Sequence, residues 1–204
     1  MMNRARIEAL SDGVFAIVMT LLIIDIKVPQ LAQPESGREL MGHLWQAWPL
    51  FRSFYISFAI LAMYWIAHHA MFHHIAKYVN KTTIFLNIVF LCFISLIPFS
   101  AHLIGAYPLN EIAVAVYGAN VIVIGAVQCL MMRVTLADKQ ILHEGVDRQL
   151  VWQITMRMLL PPAFAVLGII AGFYHSSISF FLFAFPVVFN ILSGSLNFLE
   201  SRKS

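Results

Sequence analysis

Three sets of residues have types and spacings that could do chemistry. Arg6 and Asp12 bracket the string Arg6-Ile7-Glu8-Ala9-Leu10-Ser11-Asp12-Gly13, which runs directly into the apolar segment Val14 to Ile24. Ionisable groups at the mouth of a membrane helix are expensive against lipid tails, so they face a bundle interior, a partner or a water-filled path. Six positions separate Arg6 from Asp12, about 120° around a helix, so each needs a partner elsewhere. Ser11 can donate to or accept from the same network. The second set is His68, His69, His73 and His74. The spacing of His69 and His73 could place two imidazoles on one metal. No carboxylate or cysteine in that segment supplies a third ligand, so the expectation is a hydrogen-bonded network without metal, one imidazole serving Asp12 or Ser11. Histidine there could also confer pH sensitivity. The third set is the stripe Leu10, Gly13, Ile17, Thr20, Leu21, Ile24 and Val28, which shares one helical face and is apolar except for Thr20. If several subunits pointed this face at one axis, Ile17, Leu21 and Ile24 would form stacked hydrophobic rings of the kind that gate by dewetting. Ordinary helix packing produces the same stripe.

The elements that must position these residues are membrane spans. Of the 204 residues, 60% are hydrophobic and only 11% charged, and the mean hydropathy is +0.80, whereas soluble domains carry about one-quarter charged residues. At about 20 residues per crossing, six helices nearly exhaust the length, which predicts one all-α membrane domain over residues 1–204. Spans are expected near residues 8–28, 43–78, 82–106, 111–132, 150–174 and 177–199. The first stops before Pro29, and a polar loop with Gln30, Gln33, Pro34, Glu35, Ser36, Gly37 and Arg38 follows. The second is too long for a perpendicular span and is expected to tilt or project beyond the bilayer. Pro98 predicts a kink in the third, and Pro161, Pro162 and Pro186 bend the last two. Residues 133–149 form the most hydrophilic connection and are expected outside the membrane.

Lys and Arg cluster on alternate connections. One side holds Arg4, Arg6, Lys77, Lys81, Arg133, Lys139, Arg148, Arg202 and Lys203, the other only Lys27 and Arg38. The positive-inside rule then places both termini in the cytoplasm of a plasma-membrane protein, with Trp45 and Trp48 in the outer aromatic belt and Trp152 in the inner one. No small-residue cleavage site follows the first apolar run, so it is expected to be a retained helix.

The net charge of +3 lies at helix ends, giving no basic surface for nucleic acid. Cys92 and Cys129 fall in apolar segments, where free cysteine acts as a small hydrophobe, so neither disulfide nor thiolate site is expected. The chain lacks nucleophile-elbow, phosphate-loop, zinc-protease and dinucleotide strings, and enzymatic activity is not expected. The potassium-filter string Thr-Val-Gly-Tyr-Gly is absent, and no inverted repeat is visible. Arg52 and Arg157, the other charges inside spans, are expected to snorkel. Gly168 and Gly172 read as a close-packing face, and Asn87, Asn120, Asn190 and Asn197 as interhelical hydrogen-bond donors.

The string from Arg6 to Ile17 resembles the Arg-x-x-x-Phe-Ser-Asp-Gly signature of prokaryotic members of the transmembrane protein 175 family, the endosomal and lysosomal potassium channels. Trp65, His68, His69 and Phe72 in the second span, and Asn87 and Pro98-Phe99 in the third, are similar in order and spacing. The departure is Leu10, where the family usually has phenylalanine. The resemblance implies a homotetramer of six-helix subunits whose four first helices line a potassium-permeable pore. It implies that Ile17, Leu21 and Ile24 form the constriction, that Thr20 faces the pore and influences selectivity, and that Arg6, Ser11 and Asp12 fix the inner end of the first helix. The implied partners are lipid, further copies of this chain and monovalent cations, with no cofactor beyond the permeant potassium. Two other readings compete: a proton channel or proton-coupled transporter using Asp12 and the histidines, and a non-conducting scaffold.

Overall fold

The computed structural model describes residues 4–29, 37–138, 140–143 and 145–201, with side chains as far as Asn190 apart from Ser176. Gln30, Gln33, Pro34, Glu35, Ser36, Lys139, Arg202 and Lys203 lie outside the described residues, as does the side chain of Asn197. The chain is all-α: α1 (Arg4–Leu21), α2 (Gly37–Gln46), α3 (Trp48–Ala70) with a π turn at Met71–Ile75, α4 (Lys81–Ser95), α5 (Ile97–Ala106), α6 (Glu111–Ala137), α7 (Arg148–Gly172) and α8 (Ser176–Ser201). Among the described residues, four stretches are long and apolar enough to cross a membrane: Trp48–Ile75, Lys81–Ala106, Glu111–Ala137 and Arg148–Gly172. A shorter apolar helix covers Ser177–Asn190.

Several element boundaries differ from expectation. The first helix begins at Arg4, earlier than residue 8, and ends at Leu21 instead of Val28. Beyond it the backbone makes tight turns, Ile24 N–H donating to Leu21 carbonyl at 3.1 Å and Ile26 N–H to Ile23 carbonyl at 3.1 Å. The β-branched Ile23 and Ile24 hold a helix weakly, and Pro29 disfavours helical backbone at Val28. Ile24 therefore sits past the end of α1. The single long helix expected over 43–78 is broken twice. Pro49 has no N–H to continue the ladder from α2, so the chain turns at Ala47, and α2 emerges as a separate ten-residue helix. At the other end the π turn closes on Ala76, whose N–H donates to the Met71 carbonyl at 3.1 Å.

The expected Pro98 kink is present. It divides α4 from α5 at Leu96, and Ser95 Oγ donates to the Leu91 carbonyl at 2.9 Å. Asn80 caps α4 by accepting from Thr83 N–H at 2.8 Å, Asn110 caps α6, and Asp147 caps α7. The α6–α7 connection is pinned to the π turn: Lys77 N–H donates to Ile141 carbonyl at 2.7 Å, and His143 N–H to Ile75 carbonyl at 2.9 Å. Ile141 is fully buried there.

α6 packs along α7, and α7 along α8. A Cβ added at Gly168 would meet the Phe183 ring at 2.7 Å, and one at Gly172 would meet Val114 at 2.9 Å. The expected close-packing face is thus in place, facing α8 and α6. Asn120 Nδ2 reaches Ser100 Oγ at 3.3 Å, joining α6 to α5. Arg52, expected to snorkel, is half-buried, and its guanidinium lies 3.6 Å from the centroid of the Phe180 ring. A cation over an aromatic face is attracted by the ring quadrupole. Arg157 is exposed at a groove of about 450 Å³ with Asn190 and Phe58.

Candidate functional site

α1 is half buried along its length, and the division follows helical periodicity. Ile7, Ser11, Phe15, Val18 and, just beyond the helix, Leu22 are buried against α3, α4 and α5. Leu10 is 50% exposed, Ile17 59%, Leu21 42% and Ile24 65%, and Gly13 and Thr20 are exposed as well. A Cβ added at Gly13 would meet nothing within 4 Å. Thr20 donates its hydroxyl hydrogen back into the helix, to Ile17 carbonyl at 2.8 Å or Ala16 carbonyl at 3.0 Å. Its oxygen lone pairs are left to face outward.

Two polar arrangements fix the other side of α1. In the first, His68 Nε2 donates to Asn87 Oδ1 at 2.8 Å, Asn87 Nδ2 donates to Ser11 Oγ at 3.2 Å, and Ser11 donates to the Ile7 carbonyl at 2.9 Å. All three side chains are buried. The donor direction sets the tautomer: Asn87 Oδ1 can only accept, so the proton is on His68 Nε2. The imidazole is boxed by aromatic rings, lying 5.3 Å from Phe90 at 5° and 4.7 Å from Phe72 at 42°. This chain ties α3 and α4 to α1 where the packing excludes water.

In the second, Asp12 Oδ1 accepts from Trp65 Nε1 at 2.8 Å. Trp65 stacks on His69 with centroids 5.7 Å apart, and His69 on His73 at 5.5 Å. Asp12, Trp65, His69 and His73 are all exposed, so this column lies on the surface of the subunit. The sequence expectation that a histidine serves Asp12 or Ser11 is met only through intermediaries: Asn87 for Ser11 and Trp65 for Asp12. Among the described residues, no group of three or more His, Cys, Asp or Glu side chains is arranged to hold a metal ion.

The structure therefore places Ser11 with His68, and Asp12 with His69, in separate clusters. Arg6 is exposed on α1. The cation that anchors this end of the helix is Arg4. Its Nη1 donates to the carbonyls of Phe72 at 2.9 Å, His73 at 3.1 Å and Ala76 at 2.8 Å, and lies 3.0 Å from His143 Nε2. Arg4 gathers carbonyl groups at the end of the π turn, the two hydrogens of Nη1 being shared among these acceptors. Sequence reasoning counted Arg4 only for topology. The available signal was its spacing of three and seven from Ile7 and Ser11, which sets it on the buried face. Asn87 and Trp65 were likewise legible as polar groups in apolar segments, but their partners were not.

The family described as the endosomal/lysosomal potassium channel TMEM175 matches residues 6–98, the part containing α1 from Arg6 onward, both polar arrangements and Pro98. A potassium channel of Chamaesiphon minutus is 31% identical over 171 residues, covering 82% of this chain and 83% of that protein. A potassium channel of Streptomyces collinus is 36% identical over 125 residues, and the alignment spans 57% of each chain. The crystal structure of a lysosomal potassium-selective channel TMEM175 homolog from Chamaesiphon minutus superposes with a TM-score of 0.76 at 28% identity, covering 93% of this chain and 96% of that one. With relatedness at this level extending well past the α1 motif, this chain belongs to the transmembrane protein 175 family.

Proposed function

We infer that this protein is a potassium channel of the plasma membrane, built as a homotetramer of six-helix subunits with four copies of α1 around a central pore. The whole chain, residues 1–204, forms one channel unit. Both termini are cytoplasmic by the distribution of Lys and Arg. The observation that carries this reading is the exposed, nearly apolar stripe of α1, opposite a face that is buried and polar-anchored. A helix so divided packs on its own subunit with one side and leaves the other for an axis. The names of the bacterial relatives supply the permeant ion.

In this arrangement Ile17 and Leu21, with Ile24 just past the helix end, form the constriction. Complete stripping of a cation in an apolar medium costs tens of kcal/mol, so full dehydration there is excluded. The closed state is a dry seal at Ile17, and outward movement of α1 admits a partly hydrated ion. The outward lone pairs of four Thr20 oxygens then replace some of its water ligands. Potassium loses its shell more readily than sodium, which favours it. Asp12 and Ser11 hold α1 against α3 and α4 while the pore face moves, and Arg6 faces the neighbouring subunits. No resident cofactor or metal is required.

The test is Ile17→Asn in planar bilayers. A polar ring should hydrate the seal and raise the resting open probability severalfold. Unchanged conductance would remove Ile17 from the gate.

A further inference from the structure

α2 is not accounted for by the pore. It is ten residues long, about 15 Å by the rise of a helix and half the roughly 30 Å of a hydrocarbon core, so it does not cross. None of its residues is buried by the rest of the subunit. Leu40, Met41, Leu44 and Trp45 are each 41–66% exposed. At about 100° per residue these four fall within an arc of about 140°, and Glu39, Gly42, His43 and Gln46 fall opposite. A helix this short with so clean a division reads as one that lies in an interface plane.

We propose that α2 is a membrane-surface helix, its apolar arc sunk into the lipid headgroup boundary at the face where α3 enters the bilayer. Three features select lipid over a second copy of the chain. α2 is joined by the single residue Ala47 to the span that starts at Trp48, so its depth is fixed at the edge of an established membrane segment. Trp45 and Trp48 make an edge-on contact with centroids 6.1 Å apart at that junction, where amphipathic indole rings settle at headgroup level. Past Gly37, the small residue at its start, the apolar arc carries only large side chains from Leu40 to Trp45, whereas helix contacts within membranes are built on small ones. Arg38 lies at the border of the two arcs, placed to reach a lipid phosphate. The inference rests on the chain spanning a membrane and is independent of the channel reading.

The experiment is a spin-label scan of the full chain in phosphatidylcholine–phosphatidylglycerol liposomes. Single cysteines replace each residue from Glu39 to Trp45 in a Cys92→Ala, Cys129→Ala background, and variants that elute from size exclusion like the parent are retained. Collision with molecular oxygen, which concentrates in lipid, should exceed that at Glu39, Gly42 and His43 severalfold at Leu40→Cys, Met41→Cys, Leu44→Cys and Trp45→Cys. Collision with a water-soluble nickel chelate should show the opposite phase. Exclusion of both reagents from the apolar positions would mean that protein covers them and would overturn the proposal. Free access of the nickel chelate at every position would overturn it by placing α2 in water.

Discussion

Replacing Asn87 by Leu tests whether the buried chain His68–Asn87–Ser11 holds α1 in place. The side chain makes two interhelical hydrogen bonds, with His68 Nε2 at 2.8 Å and Ser11 Oγ at 3.2 Å. Interhelical hydrogen bonds in membrane proteins average roughly 0.6 kcal/mol, so their loss costs about 1 kcal/mol. The larger effect is on what remains. Ser11 keeps its bond to the Ile7 carbonyl at 2.9 Å, but the His68 N–H is left buried among Phe15, Phe72 and Phe90. An unsatisfied buried donor costs about 1–3 kcal/mol. Asn87→Leu should therefore destabilise the subunit by about 2–4 kcal/mol. Adding His68→Phe removes the orphaned donor and puts a fourth phenyl ring among Phe15, Phe72 and Phe90. The double variant should then recover at least about 1 kcal/mol relative to additivity, because removing both partners is far milder than removing one. Reversible unfolding in mixed detergent micelles, run on the parent, both single variants and the double variant, measures the cycle. Two results would refute the reasoning: Asn87→Leu within about 0.5 kcal/mol of the parent, or strict additivity of the pair.

Three further outcomes follow from the packing. Gly125→Ala directs its Cβ to within 2.5 Å of the Pro162 ring, which cannot rotate away, so unfolding should be easier by about 1–3 kcal/mol; an unchanged midpoint would contradict the α6–α7 contact. Arg4→Ala removes the donor shared by Phe72, His73 and Ala76, with a loss of about 1–3 kcal/mol and faster amide hydrogen exchange over Met71 to Ala76; unaltered exchange there would show that Arg4 is not the anchor. Arg52 has a buried Nε with no hydrogen-bond partner among the described residues and stacks on Phe180. Arg52→Met, similar in length and uncharged, should be neutral or stabilising, because a half-buried charge whose Nε lacks a partner carries a desolvation cost that an apolar group avoids. A loss above about 2 kcal/mol would mean the cation–π contact outweighs the desolvation.

The membrane class and the run of apolar spans were legible because composition alone excludes a soluble core, and the break near Pro98 because a missing N–H has one local consequence. The exposed stripe of α1 was legible because periodicity needs no knowledge of partners. Where α1 stops was not: Ile23, Ile24 and Ile26 continue the hydropathy of a span while their β-branched side chains weaken the helix that would carry it. α2 was hidden because a ten-residue amphipathic helix between polar residues carries too little signal against a loop. Partner identities were the least accessible. His68, His69, Ser11 and Asp12 were recognisable as polar groups needing satisfaction, but adjacent histidines on one helix point in different directions, so His68 enters the core and His69 the surface. Arg52 over Phe180 joins residues far apart in the chain, which no local pattern encodes.

The most direct test is the reversal potential of purified protein in a planar bilayer under opposed potassium and sodium gradients, measured at two pH values. A potential lying toward the potassium equilibrium value and independent of the proton gradient is the predicted result. A potential that tracks the proton gradient would move conduction to Asp12 and the His69–His73 column, and a silent membrane would contradict a conducting role altogether.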